Sequence, residues 1–383
     1  MNNIVTAIEL SPSGVRLVTG YVFQKKVYVL NSLIGSPISV DSNGYLNRKE
    51  ISDSLSVLVN TCKSALNMPS LDNFIVILPP DEFQVRSGNT SSSTTNETIS
   101  QKDYTNVVNM LNKQLKIENA YPIYDDPISF CVDNDTPTPK FPLGERGESL
   151  GLSADVHFIS KYSAEYYLKI FQDLGITPFL KLVSPFALSS FLCSFKGPSE
   201  FFALQIEADY MYLSSSKNSR IRSAKSFGYG FDRVYEQVSE ILNVSKERAS
   251  ELISTFGLRN DAGFPYLTDE KKSLKDISSA LEKALTLLDP VAKEMDALEK
   301  DHVEPIILVG TKTKVDGLDS YLSQKWNRNI YSFSPKVLGA RNDALLCCLG
   351  GIRLSDNTYM SPLKNGKIKV GEYDLSHSNL SRG

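Results

Sequence analysis

Residues 4–35 read IVTAIELSPSGVRLVTGYVFQKKVYVLNSLIG. Three apolar, β-branched stretches are separated by turn signals, the pattern of consecutive strands in a meander. The first turn, Ser11-Pro12-Ser13-Gly14, is tight, with Pro12 fixing one φ and Gly14 freeing another. Moving outward, residues 51–66 carry Leu55, Leu58, Val59 and Cys62 at helical spacing. FIVILP at residues 74–79 is a short continuous apolar run suited to a buried strand. Three strands, a helix and a strand make one α/β unit.

The same grammar returns in the second half. FFALQIEADYMYLSS from Phe201 and SRIRSAKSFGYG from Ser219 form a second β-rich start. Helical segments follow over residues 232–256 and 274–298, then the apolar IILVG at residues 306–310 and a helix within DGLDSYLSQKW at 316–326. Duplication of one unit and two unrelated α/β domains both account for this repetition. Between the halves, residues 87–100 (SGNTSSSTTNETIS) are polar and lack apolar periodicity, so a mobile loop is expected. Tyr104, Val107, Val108, Leu111 and Leu115 restore helical spacing. YPIYDDPISFCVD and ESLGLSADVHFISK are strand candidates flanking FPLGERG, followed by a helix over 163–174, the strand-like ITPFLKLV and a helix under PFALSSFL. From Asn357 the chain is polar and turn-rich.

A length of 383 residues suits two lobes, and 41% hydrophobic against 22% charged residues is the balance of a chain that builds a core. A net charge of −3 supplies no basic field for nucleic acid, so no nucleic-acid partner is expected. Cys62, Cys131, Cys193, Cys347 and Cys348 are scattered, without metal-ligand spacing, and read as buried free thiols of a reducing cytosol. No targeting segment or spanning apolar run is legible, which makes a cytoplasmic location the expectation. GxGxxG and GKS/T patterns are absent. His157, His302 and His377 make no catalytic constellation, and Asp125-Asp126 with Asp133 and Asp135 read as solvated turns rather than a cation site.

Three pieces carry a resemblance. TAIELSPSGVRLVTGY resembles the first phosphate loop of actin-like proteins, and its VRLVTG is similar to the FtsA version. The stretch from FFALQIEADYMYLSS to FDRVYEQVSEIL resembles the second phosphate loop, and IILVGTKTKVDGL resembles the adenosine segment. In the middle, a helix, a Pro-x-Tyr strand, FPLGERG and a strand ending His157-Phe158-Ile159 resemble the small inserted subdomain of FtsA. The order and spacing cover the chain to about Leu354. The resemblance implies an α/β, actin-like (ribonuclease H-like) two-lobed fold with an FtsA-type inserted subdomain in the first lobe. It divides the chain into first-lobe core at 1–80 and 161–198 and inserted subdomain at 81–160. Second-lobe core then spans 199–231, a helical subdomain 232–303, second-lobe core returning to the first lobe 304–354, and a polar tail 355–383.

The resemblance also identifies where a nucleotide would lie, and this chain departs from the pattern there. In the first loop the carboxylate is Glu9, glycine is replaced by Ser11, the hydroxyl position by Pro12, which lacks an N–H, and the lysine position beyond Ser13 by Gly14. In the second, Asp-x-Gly becomes Gln205-Ile206-Glu207, the threonine aligns with Met211, and the Gly-Gly pair is Gly230-Phe231, whose ring would crowd a nucleoside. The Glu and Lys beside the nucleoside align with Ser250 and Ile253, and the adenosine Gly-Gly with Gly310-Thr311. An unpaired Glu207 carboxylate facing phosphate would oppose binding by about 3 kcal/mol or more. The expectation is therefore a degenerate ATPase, with no cofactor rather than ATP and magnesium, no catalytic residue and no metal.

The function implied is an FtsA-like cell-division scaffold that self-associates into oligomers or filaments and links FtsZ filaments to the division machinery. Leu281, Leu285, Leu288 and Met295 mark the helical face on which an FtsZ tail would dock. The tail lacks an apolar helical face, so either the chain is truncated or association with the cytoplasmic side of the membrane at the division site is indirect, through a partner. An actin-like ATPase of pilus-assembly or plasmid-segregation type and a non-division structural adaptor are the alternatives.

Overall fold

A computed structural model describes residues 4–195, 197–258, 272–299, 303–334, 337 and 342–357. The opening meander forms β1 (Val5–Glu9), β2 (Arg16–Phe23) and β3 (Lys26–Ile34). Helix α1 (Arg48–Ala65) follows, its first turn capped by the Asn47 side chain accepting from Lys49 and Glu50 N–H, and then β4 (Phe74–Leu78). The chain leaves this lobe for β5 (Gln84–Ser93), α2 (Gln101–Gln114), β6 (Ala120–Val132) and β7 (Ser149–Ser160). It returns through α3 (Lys161–Asp173), β8 (Pro178–Val183) and α4 (Ser184–Leu192). The second half supplies β9 (Glu200–Ile206), β10 (Met211–Lys217) and β11 (Arg220–Phe227). Helices α5 (Asp232–Leu242), α6 (Lys246–Phe256), α7 (Leu274–Ala284) and α8 (Asp289–Leu298) come next, with a 3-10 turn at Leu285–Leu288 joining the last two. The chain closes through β12 (Ile306–Val309), α9 (Leu318–Trp326), β13 (Ile330–Ser332) and α10 (Leu346–Leu354).

Two five-stranded sheets share one design. The first runs β3-β2-β1-β4-β8 and the second β11-β10-β9-β12-β13, each an antiparallel meander continued by two parallel strands. Buried continuous runs such as Ile75–Leu78 in β4 are what a parallel strand covered on both faces requires. Helices α4 and α10 cross beneath the cleft between the sheets, and α10 packs on β1, β2 and β4 of the first lobe. At the crossing a Cβ on Gly350 would stand 1.8 Å from the Ala187 carbonyl oxygen, so only glycine allows the two backbones to meet.

The insert is a separate three-stranded antiparallel sheet, β5-β7-β6, with its own core of Ile99, Tyr104, Val107, Leu111, Phe130 and Leu152 around α2. Residues 84–93 correct the loop expectation for 87–100. They pair residue by residue with β7, from Gln84 opposite Phe158 to Ser93 opposite Ser149. The main-chain ladder holds this edge strand, so its Ser/Thr side chains need not alternate with apolar ones. The first turn of α2 is tied by Asp103, whose carboxylate accepts from Ser100 and Thr95. Burial pushes this group up, but those hydrogen bonds prevail and hold it at about 2.

Other expectations also change on contact with the fold. Asp125 and Asp126 are not solvated turns but lie in β6, where burial pushes each carboxyl up to about 6. Arg220 of the second lobe reaches across to Asp126 (2.6 Å) and the Pro127 carbonyl (2.7 Å), fastening the insert to the other half. His157 is buried between Phe83, Tyr124 and Phe186, and burial holds it neutral with a value of about 3. His302 and His377 lie outside the described residues, as do residues 259–271 and the tail from residue 358. The five cysteines are free, but Cys131 and Cys193 are only half-buried. Among the described residues no helix is long and apolar enough to cross a membrane.

Candidate functional site

The hairpin register sets the cleft chemistry. Glu9 ends β1 and Arg16 begins β2 as its cross-strand partner, so both side chains leave the same face toward the second lobe. Arg16 Nη1 lies 3.2 Å from Glu9 Oε2, and Nη2 lies 3.5 Å from Glu207 Oε1, which arrives from the end of the second meander's first strand. All three residues are 0–1% exposed, so one guanidinium bridges two carboxylates out of reach of water. Burial pushes Glu9 up and Arg16 opposes it. Arg16 itself is held well above its ordinary value because nearby Tyr210, Glu9 and Glu207 outweigh its burial.

Around this core the two hairpins bind one another. Ser11 Oγ donates to Tyr210 Oη at 3.1 Å, and Ser13 Oγ to Asp209 Oδ2 at 3.4 Å. Gln205 Nε2 donates to Glu207 Oε1 at 3.2 Å, and Thr311 Oγ1 to Glu207 Oε2 at 2.5 Å. From α10, the Cys347 thiol reaches Gln205 Oε1 (3.9 Å) and the Cys348 thiol the Arg16 carbonyl (3.7 Å). Burial pushes the Tyr210 hydroxyl and both thiols well up, and Glu9 adds to the effect on the thiols.

The expectation of an unpaired Glu207 is therefore corrected, since Arg16, Gln205 and Thr311 all engage it. The residues present do not fit a triphosphate with magnesium. Pro12 has no N–H, the Ser13 amide donates to Ser11 Oγ (3.2 Å), and the Gly14 amide to the Ser11 carbonyl (3.0 Å). The turn thus spends its donors on itself. The Arg16 guanidinium, the cation a phosphate would need, is already shared between Glu9 and Glu207 and is not free to hold one. Among the described residues no group of three or more His, Cys, Asp and Glu could hold a metal ion.

Of the residues singled out from the sequence, the fold brings Glu9, Ser11, Ser13, Gln205, Glu207 and Thr311 together. Gly310 closes on them: its φ is +115° and a Cβ would meet the Ile206 carbonyl oxygen at 2.3 Å. Gly230 lies against the Glu207 and Ala208 carbonyls, which accept from Phe231 N–H (2.8 Å) and Asp232 N–H (3.0 Å). Phe231 differs from expectation, for its ring is buried 5.2 Å from Tyr235 in the second-lobe core and does not line the cleft. Met211 and Ile253 belong to the same core, and Ser250 lies beside Tyr235. Leu281, Leu285, Leu288 and Met295 are corrected too. All are 0–1% exposed within that core, because the apolar face of α7, the 3-10 turn and α8 packs inward and offers no docking face. Arg16 and Tyr210 were not singled out. The legible signal was a lone basic residue in a β-branched strand, across a four-residue turn from Glu9.

No family model matches the chain, and no curated protein does. The fold is shared with solved structures. A chain of the PilM–PilN type IV pilus biogenesis complex is 15% identical with a TM-score of 0.56, over 94% of this chain and 99% of that one. The ethanolamine utilization protein EutJ from Carboxydothermus hydrogenoformans is 10% identical with a TM-score of 0.51, over 92% and 89%. MreB5 of Spiroplasma citri bound to ADP is 10% identical with a TM-score of 0.51, over 94% and 97%. The chain has the two-lobed α/β fold of the actin-like ATPases, with mixed sheets.

Proposed function

We propose that this chain is an actin-fold structural adaptor that neither binds nor hydrolyses ATP and acts by holding a partner protein. The observation that carries the reading is the Glu9–Arg16–Glu207 bridge, a resident cation joining the lobes where an active relative would need room for phosphates. A chain of the PilM–PilN complex, an actin-fold protein solved within a pilus-biogenesis assembly, is a precedent for partner-holding by this architecture. Calorimetric titration of the full chain with ATP and magnesium tests the first half, with no saturable heat expected. Micromolar binding would overturn it in favour of an active pilus-assembly or plasmid-segregation type ATPase.

The inserted sheet with α2 favours a second reading, in which the fold is of FtsA type, the partner is an FtsZ filament and the chain works at the cytoplasmic face of the membrane at the division site. Co-sedimentation with FtsZ filaments without nucleotide supports that version, whereas a chain that stays in the supernatant with FtsZ excludes it. Self-association into filaments belongs to both readings, and pelleting of the chain alone tests it.

A further inference from the structure

We propose that the open half of the interlobe cleft is a pocket for the guanidinium or ammonium group of an arginine or lysine on a partner protein. This deepens the adaptor reading and rests on it. Because β4 holds the place in the first sheet that β12 holds in the second, the residues after β4 are the counterparts of Gly310 and Thr311. The segment after β12 is closed onto Glu207, but the segment after β4 borders a cavity of about 410 Å³. That size lies within the range of about 300–1,000 Å³ usual for ligand sites.

The walls are aromatic and acidic. Tyr45, Pro80, Asp81, Glu82 and Phe83 come from the first lobe, and Lys225 from the second. The Asp81 carboxylate accepts from Ser163 Oγ, and no other hydrogen bond reaches it among the described residues. Burial, with Glu82 a lesser cause, pushes Asp81 up, and burial is likewise the leading cause for Tyr45; Asp81 and Glu82 together put a negative field on the cavity wall. Lys225 does not neutralise it, because its ammonium is bonded to Glu294 on α8. Neither Asp81 nor Glu82 is in an ion pair among the described residues. A carboxylate beside an aromatic face is the pairing that recognises an organic cation. The Tyr45 ring packs on Tyr162 (5.0 Å) and Tyr166 (5.5 Å), and Tyr162 is 60% exposed. The aromatic surface thus continues outside the cavity, where a polypeptide carrying the cation would lie and a free small cation would make no contact.

The test titrates the full chain, tyrosine-labelled for NMR, with acetyl-Gly-Arg-Gly-amide and with its citrulline counterpart, which keeps the shape and removes the charge. Saturable shifts at Tyr45 with a millimolar dissociation constant are expected, with the citrulline peptide about tenfold weaker. Asp81→Asn keeps an acceptor for Ser163 and should weaken the arginine peptide about tenfold. Glu82→Gln, on an exposed side chain, should weaken it several-fold. Tyr162→Ala should weaken the peptide and leave methylguanidinium unaffected. Equal binding of the citrulline peptide, indifference to both acidic substitutions, or no saturation to about 10 mM would overturn the pocket. Tight spermidine binding indifferent to Tyr162→Ala would replace the polypeptide occupant with a free polyamine. A chain that ignores ATP and also ignores the arginine peptide keeps the adaptor reading and loses this one.

Discussion

Replacing Arg16 by methionine removes the guanidinium that bridges Glu9 and Glu207 and leaves two carboxylates in a site closed to water. Breaking a buried ion pair by deleting one member costs about 3–5 kcal/mol. That is a large share of the roughly 5–15 kcal/mol that holds a domain folded. The penalty has a pH signature. Glu9 already has a folded pKa raised above its ordinary 4.5, and without Arg16 it rises further. The folded protein then holds a proton that the unfolded chain has released, so stability declines as pH climbs above 4.5. Urea unfolding followed by circular dichroism at neutral pH and near pH 5 measures both effects. Arg16→Met should lose about 3 kcal/mol or more at neutral pH and less near pH 5. Adding Glu9→Gln should restore much of the loss, because the stranded charge goes with it. A deficit under about 1 kcal/mol, the same at both pH values and not relieved by Glu9→Gln, would refute the account of the cleft as an electrostatic bridge.

Three further outcomes are expected. Asp125→Asn should raise stability at neutral pH by about 1–3 kcal/mol, since the folded pKa of about 6 lies above the ordinary 3.8; the gain should fade as pH falls through that window, as denaturation at both ends would show. Gly310→Ala should cost about 1–3 kcal/mol, because its φ of +115° and the 2.3 Å approach to the Ile206 carbonyl leave no place for a methyl group, and a melting curve reads this directly. Leu281→Ala should cost about 2–5 kcal/mol in unfolding experiments as a core deletion, whereas a wild-type melting temperature would mean that the side chain is a surface contact after all.

Much of the scaffold was readable because burial leaves periodic marks. The opening meander, α1, β4 and the repeat of this order after Phe201 all follow from apolar runs of strand or helix period. The strand at residues 84–93 left no such mark, because its partner is a backbone and its side chains stay polar. The site was legible in part. Alignment of short motifs found Glu9, Ser11, Glu207 and Thr311, which do converge. Phe231 and the leucines of α7 and the 3-10 turn were misread because an apolar side chain beside a cleft and one turned into a core look alike in one dimension. Arg16 escaped because its meaning depends on Glu207, a residue brought to it only by closure of the second lobe.

The crossing of α4 and α10 at Gly350 has a mechanical consequence. With main chain pressed on main chain and no side chains between, sliding of one helix along the other would have to break that contact, while rotation about it need not. Were the lobes to turn against each other, the crossing would act like the rivet of a pair of scissors. A slight turn there is magnified toward the blade tips, so whatever grips both lobes at the rim holds the longest lever on the angle between them.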